Sequence, residues 1–163
     1  MAAVVLGDPL RGEEVAEEVR KEVGACTRER FKTIKLYTSY WNNPCLKKPP
    51  LDRVLKIGIS RWCPHWGVKH VSLAEEPFAP PRYLLDAWKA SEKMPEDEWR
   101  FEKGYRERLD AYGIDAIRER LEEVMGSADA AILLCHEKDE FCHRRVFADW
   151  YQEQTGEVIE EIA

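Results

Sequence analysis

The chain lacks the signatures of several large enzyme classes. It has no GxGxxG, no P-loop and no GxSxG, which disfavours an ordinary dehydrogenase, NTPase or serine hydrolase. The phosphatase-type order His-Cys-x5-Arg is missing too, since the order here is Cys135-His136. No apolar run approaches the ~20 residues that a membrane-spanning helix needs. The opening MAAVVLGDPLRGEE has no basic n-region and too short an apolar stretch for a signal peptide. A cytoplasmic protein with no membrane partner is the expectation. Cysteine is sparse and odd in number, five in 163 residues. A chain of this length can build one core without disulfides, so reduced thiols are expected. No internal repeat or low-complexity segment occurs.

The net charge of −6 argues against indiscriminate nucleic-acid binding, but its distribution is uneven. From Arg28 to His70, ten basic side chains face only Glu29 and Asp52, an excess of +8. One reading is a solvated surface that happens to be basic. The other is a face serving an anionic small molecule or nucleotide, or a nucleic acid.

Periodicity supplies the elements. Val15, Val19 and Val23 predict a helix over Glu13–Cys26. Strands are predicted over Lys32–Thr38 and Val54–Ser60, with a loop over Tyr40–Pro50 between them. Arg61–Pro81, rich in proline, reads as a long irregular stretch of the kind that serves as a lid or binding loop. Helices are predicted over Arg82–Lys93, Glu96–Ala111 and Ile114–Met125. Next come a buried strand over Ala131–Leu134, a helix opening at Cys142, and an edge strand over Glu157–Ile162. Strands alternating with helices imply an α/β, single-domain, three-layer Rossmann-like fold with a mostly parallel sheet. The expected division is an N-terminal extension with a helix over 1–30 and an α/β domain over 31–163.

In such a sheet ligands bind at the carboxyl ends of the strands. That rim should gather Ser39 to Trp41, Ser60 to Cys63 and Cys135 to Arg144. Cys142 shares a helix face with Val146 and Trp150, so it reads either as a small core residue or as a thiol activated at a helix N-terminus. Activation would lower its pKa. His143 reads as a packed histidine or as a general acid/base. Cys135 ends the buried strand. The expected catalytic set is Cys142, His143 and Cys135. Arg61 and Arg144 are the expected anion forks, with Ser39, Tyr40 and Trp62 completing the substrate site. The acidic turn Glu137, Asp139, Glu140 works against an anion and offers partners to those arginines, and Asp139 is placed as a helix N-cap. Cys135, Cys142, His143 and His136, with Cys63-Pro64-His65, offer a lesser reading as metal ligands, and Cys135 with Cys142 one as a redox disulfide; the spacings Cys-x6-Cys and Cys-Pro-His do not match zinc-knuckle patterns, so no metal is expected. No cofactor and no oligomeric state can be read from the chain.

The stretch LLCHEKDEFCHRRVFADWY resembles the signature of a widespread prokaryotic family, domain of unknown function 488. Its members show a strand ending in Cys, a Glu-Lys/Arg-Asp turn, and Cys-His-Arg opening a helix. The segments Leu36–Trp41, Ile57–Trp62 and Leu73–Leu84 resemble further parts of that family. The likeness spans Thr33 to Ile162 and has no counterpart for the first 30 or so residues. It implies a fold and a site, but no reaction. The function expected from the residues is an enzyme acting on a nucleotide, nucleoside or nucleic-acid component. The alternatives are a non-catalytic nucleotide or nucleic-acid binding module, or a thiol-based redox sensor.

Overall fold

The computed structural model describes residues 32–163, and the helix expected over Glu13–Cys26 lies outside the described residues. Five strands form one sheet in the order β3-β2-β4-β1-β5, and every pairing is parallel. They are β1 (Lys35–Tyr40), β2 (Leu55–Gly58), β3 (Val71–Ser72), β4 (Ala130–Cys135) and β5 (Glu160–Glu161). Four helices accompany them: α1 (Arg82–Ala90), α2 (Pro95–Tyr112), α3 (Ile114–Met125) and α4 (His143–Thr155). The architecture is α/β, three-layered and Rossmann-like.

β4 is the central strand because its sequence, AAILLC, is apolar on both faces. Ala131 and Leu133 point into the larger core, and Ile132 and Leu134 into the smaller one. The larger core is helical. It takes Phe101, Tyr105 and Leu109 from α2, Ile117, Leu121 and Met125 from α3, and Val146, Phe147, Trp150 and Tyr151 from α4. In α2 and α3 these residues recur every fourth position, the spacing of one helix face. α1 reaches the same core with Leu84, Leu85 and Trp88. The opposite face has no helix among the described residues. Trp41, Leu46 and Leu51 cover it from the β1–β2 connection, where two short 3-10 turns, Pro44–Lys47 and Leu51–Arg53, replace the expected loop. Lys56 of β2 is buried under this connection, and its Nζ donates to the carbonyls of Leu51 and Asp52.

The long stretch after β2 holds a short strand that periodicity missed. β3 has only two residues, both exposed, and Ile57 pairs with Val71. Gly58 ends β2 where a side chain has no room. A Cβ there would lie 2.4 Å from Cys63 Sγ and 2.8 Å from the Trp41 ring. That close approach lets the loop after β2 fold back over the smaller core. Gly113, at φ 81°, joins α2 to α3 in a conformation that L side chains rarely adopt.

Candidate functional site

Parallel pairing brings the carboxyl ends of the strands to one rim. Tyr40 stands opposite Cys135 in register, and the Ile59 N–H donates to the Leu134 carbonyl, so β2 runs out beside β4. Cys135 follows Leu133 by two and therefore faces the helical side. Seven residues later Cys142 takes an extended N-cap position (φ −148°), and its side chain caps nothing. α4 then opens with His143.

These elements build a compact cluster. The Cys135 thiol donates to Glu137 Oε2 at 2.9 Å, and the Cys142 thiol donates to the same oxygen at 3.1 Å. His143 Nδ1 lies 3.5 Å from Cys135 Sγ. Its Nε2 lies 2.9 Å from the Ile59 carbonyl, which can only accept, so the proton sits on Nε2 and the Nδ1 lone pair turns to the sulfur. Tyr105 holds the imidazole edge-on at 5.8 Å, while its own hydroxyl donates to the Phe78 carbonyl at 2.8 Å. One ligand-type atom each from Cys135, Cys142 and His143 lies within 4.8 Å of the others, and all three residues are buried.

The cluster closes the inner end of a cleft of about 570 Å³. Cys135, Glu137 and His143 line it, together with Ser60, Arg61, Trp62 and His136 from the rim and Arg82, Leu85, Asp86 and Lys89 from α1. Arg61 is partly anchored, its Nε and Nη2 donating to the Pro80 carbonyl at 3.2 and 3.0 Å, with Glu76 3.8 Å away. Trp62, 57% exposed, stacks on His136 at 5.4 Å and 15°. Ser60 is 3% exposed, and its hydroxyl has no hydrogen-bond partner among the described residues. Buried hydroxyls are normally paired, so this one marks where a ligand group can bond.

Burial opposes charge on Glu137, but the two thiol donors, its own backbone N–H and the nearby His143 outweigh burial and hold the carboxyl below its ordinary value. Burial also disfavours the His143 imidazolium. Its contacts with Cys142, the Ile59 carbonyl and Glu137 prevail and raise its pKa. For Cys142 the expectation of a lowered pKa is reversed. Burial pushes the thiol well up, and the neighbouring Cys135 adds to this against the opposing pull of His143.

Arg144 is 0% exposed. Its guanidinium donates to the Glu137 carbonyl, to the Lys138 carbonyl at 2.9 Å and to Glu161 at 2.8 Å. Arg145 grips the same Glu161 at 2.9 Å from both Nε and Nη2, and the carbonyls of Lys138 and Glu140. This clamp fixes the loop that carries Glu137. It holds the Glu161 carboxyl down to about 2, chiefly through the Arg145 hydrogen bond. Asp139 is exposed beside Lys138 and is not the N-cap; that position belongs to Cys142.

Of the sequence-derived residues, Arg61, Trp62, Cys135 and His143 line the cleft, and Cys142 stands behind them against Glu137. Ser39, Tyr40 and Arg144 do not line it. The Ser39 hydroxyl donates to the Ile162 carbonyl at 2.8 Å and accepts from Asn43, while the Tyr40 ring lies under Lys138 Nζ. Ser60 and Glu137 lie within the expected rim stretches but were not named as site residues, and Arg82 and Lys89 were missed. Glu137 carried a signal, since it stands two residues from one cysteine and five from the other. The α1 cations carried none, because their spacing is that of an ordinary solvated helix face.

No curated protein matches the chain, and no solved structure does. A family model does match: the DUF488-N3a family, described as the active DUF488-N3 subclade, covers residues 45–155. That range exceeds half of the sequence, and the chain belongs to this subclade of the domain of unknown function 488.

Proposed function

We propose that this DUF488-N3a member is an enzyme acting on a phosphate-bearing nucleotide or nucleoside component held in the cleft. One observation carries the reading: a cationic wall and a thiol–carboxylate–imidazole floor share a single cleft of about 570 Å³. That volume lies within the range of small-molecule sites. Arg61, Arg82 and Lys89 outnumber Asp86 and Glu137 along its walls, although Asp86 stands 3.6 Å from Arg82 and offsets part of that charge. An anion fits the cations, and a base fits the Trp62–His136 stack, because stacking tolerates any flat ring. The Ser60 hydroxyl supplies a bond that the fold leaves open. Glu137, Cys135 and His143 then meet the far end of the ligand with groups that can move protons. The family's description as an active subclade agrees with catalysis.

The test is calorimetric titration of the full chain with nucleoside monophosphates and with inorganic phosphate, at low and raised salt. Binding that weakens with salt and drops on Arg61→Ala is expected. Absence of binding to every nucleotide, or binding indifferent to Arg61→Ala, overturns the reading.

A further inference from the structure

Three side chains at the closed end of the cleft have the donor atoms, spacing and support of a metal centre. We propose that Cys135, Cys142 and His143 bind a zinc-class divalent cation through Sγ, Sγ and Nδ1, and that Glu137 is the base for water on its open position. The substrate side of this inference rests on the function proposed above; the metal site itself does not.

Geometry comes first. Zn–S bonds of about 2.3 Å and Zn–N bonds of about 2.0–2.1 Å in a tetrahedron separate sulfur from nitrogen by roughly 3.6 Å and sulfur from sulfur by roughly 3.8 Å. Cys135 Sγ stands 3.5 Å from His143 Nδ1, and one donor atom each from Cys135, Cys142 and His143 lies within 4.8 Å of the others. An ion can therefore enter with small side-chain rotations. The donors are of the soft and borderline kind that select zinc over magnesium or calcium. The sequence expectation of no metal rested on spacing along the chain. The fold instead gathers donors from a strand end and the next helix opening.

The surroundings match as well. A histidine that ligates a metal usually gives its other N–H to a carbonyl or carboxylate, which fixes the tautomer and aims the free nitrogen. The Ile59 carbonyl holds this position on His143 Nε2 at 2.9 Å. The arginine clamp, formed by Arg144 with the carbonyls of Glu137 and Lys138, fixes the loop between the cysteines. Both thiols direct their protons to one carboxylate oxygen, at 2.9 and 3.1 Å. Replacing those two protons by one divalent cation leaves the cluster at the same charge and frees Glu137 Oε2 to accept another hydrogen bond.

Three protein ligands leave the fourth position of a tetrahedral ion open, the arrangement of catalytic rather than structural zinc. Here that position faces the cleft, because Cys135 and His143 line it while Cys142 lies behind. Glu137 stands at the same opening. It takes one proton from the bound water and leaves hydroxide on the metal. Hydroxide forms a new bond to an electrophilic atom of the substrate, the bond to the leaving group breaks, and Glu137 returns the proton to that group. The outcome is hydrolysis, with no change of oxidation state. A cysteine–cysteine–histidine ion with a separate glutamate base is the division of labour that zinc-dependent base deaminases use.

The experiment uses the full chain, reduced and stripped with chelator, titrated with Co²⁺ and followed by absorbance. One equivalent should produce a sulfur-to-cobalt charge-transfer band and tetrahedral d–d bands, both displaced by Zn²⁺. Cys142→Ser should lower affinity by roughly tenfold or more and weaken the charge-transfer band. Glu137→Gln should keep the bands and lose turnover, and Cys63→Ser should change neither. Circular dichroism checks that each variant is folded, and native mass spectrometry of the unmutated chain gives a second reading as one zinc per chain. No charge-transfer band and no zinc adduct in the folded unmutated chain overturn the site, as do bands that survive Cys142→Ser undiminished. Nucleotide titration of the stripped chain is a separate measurement, so loss of the metal site and loss of the proposed substrate class are told apart.

Discussion

Two regions meet on the loop between β4 and α4, and they treat their polar groups in opposite ways. On one side the arginine clamp spends nearly all its polar atoms on the fold: Arg144 and Arg145 share Glu161 and bond the carbonyls of Glu137, Lys138 and Glu140, with Arg144 Nε alone lacking a partner among the described residues. On the other side, both thiols crowd one carboxylate oxygen, and the Ser60 hydroxyl bonds nothing among the described residues. Adjacent residues of a single helix turn, His143 and Arg144, belong to different regions. The clamp is a structural device and the cluster a chemical one; the measure is whether the fold already satisfies the group.

Breaking the clamp should have the largest effect. Arg144→Ala leaves the Glu137 carbonyl without its donor, while Arg145 still holds Glu161 and the Lys138 carbonyl. A hydrogen bond to a charged group is worth about 1.5–3 kcal/mol. Urea unfolding should register a loss of that size, and a loss under ~1 kcal/mol would make the clamp an ornament of the surface.

Glu137→Gln cuts into the cluster and should do the reverse. The amide keeps the shape of the carboxylate and can still accept from a thiol, so the unfolding midpoint should move little. Turnover should fall by about 10²–10⁴, the usual contribution of a positioned base. An equal loss of stability and activity would erase the distinction between the two regions.

Arg61→Ala sharpens the comparison at the cleft mouth. Its guanidinium is exposed and only partly anchored on the Pro80 carbonyl. A charge-assisted bond is worth about 1.5–3 kcal/mol, so nucleotide affinity should fall roughly tenfold or more with the fold intact. Calorimetry at two salt concentrations reads it.

The smallest effect is a pH dependence. Hydrogen bonds from Arg145 and Arg144 hold the Glu161 carboxyl at about 2 against an ordinary 4.5. A lowered acid pKa contributes stability in full above the ordinary value, and that contribution is lost as pH falls toward the folded one. Unfolding midpoints should therefore decline between pH 4.5 and about 2 more steeply in the unmutated chain than in Glu161→Gln. Parallel curves would show that the clamp does not depend on that charge.

Legibility in the sequence followed the same division. α3 has the expected bounds, Ile114–Met125, because its apolar residues recur every fourth position and Gly126 ends it. β4 was legible from its unbroken apolar run. β3 was not, since Val71 and Ser72 are exposed and are held only by pairing with a strand already in place. The convergence of Arg61, Cys135, Cys142 and His143 followed from strand ends alone. The direction of each side chain did not: Arg144 and Arg61 look alike in the sequence, yet one is sealed in carbonyls and the other faces solvent. Glu137 was read as a charge opposing the arginines, because nothing along the chain tells which way a loop carboxylate turns.

The strand order also bears on how the molecule is made. β1 and β2 emerge first from a ribosome but are not neighbours; β4 lies between them, and β5 flanks β1 on its other side. Among the described strands, until residues 130–135 leave the exit tunnel, β1 has no partner and β2 has only the short β3. The nascent chain must keep Leu36 without a strand partner, and Ile57 with only Val71, through the synthesis of three helices, until β4 inserts between β1 and β2. Pairings so distant along the chain are slow to form and leave strand edges open while they wait. The cluster thiols and the imidazole arrive with β4 and the helix after it, so the centre is assembled only once the two halves of the sheet are joined.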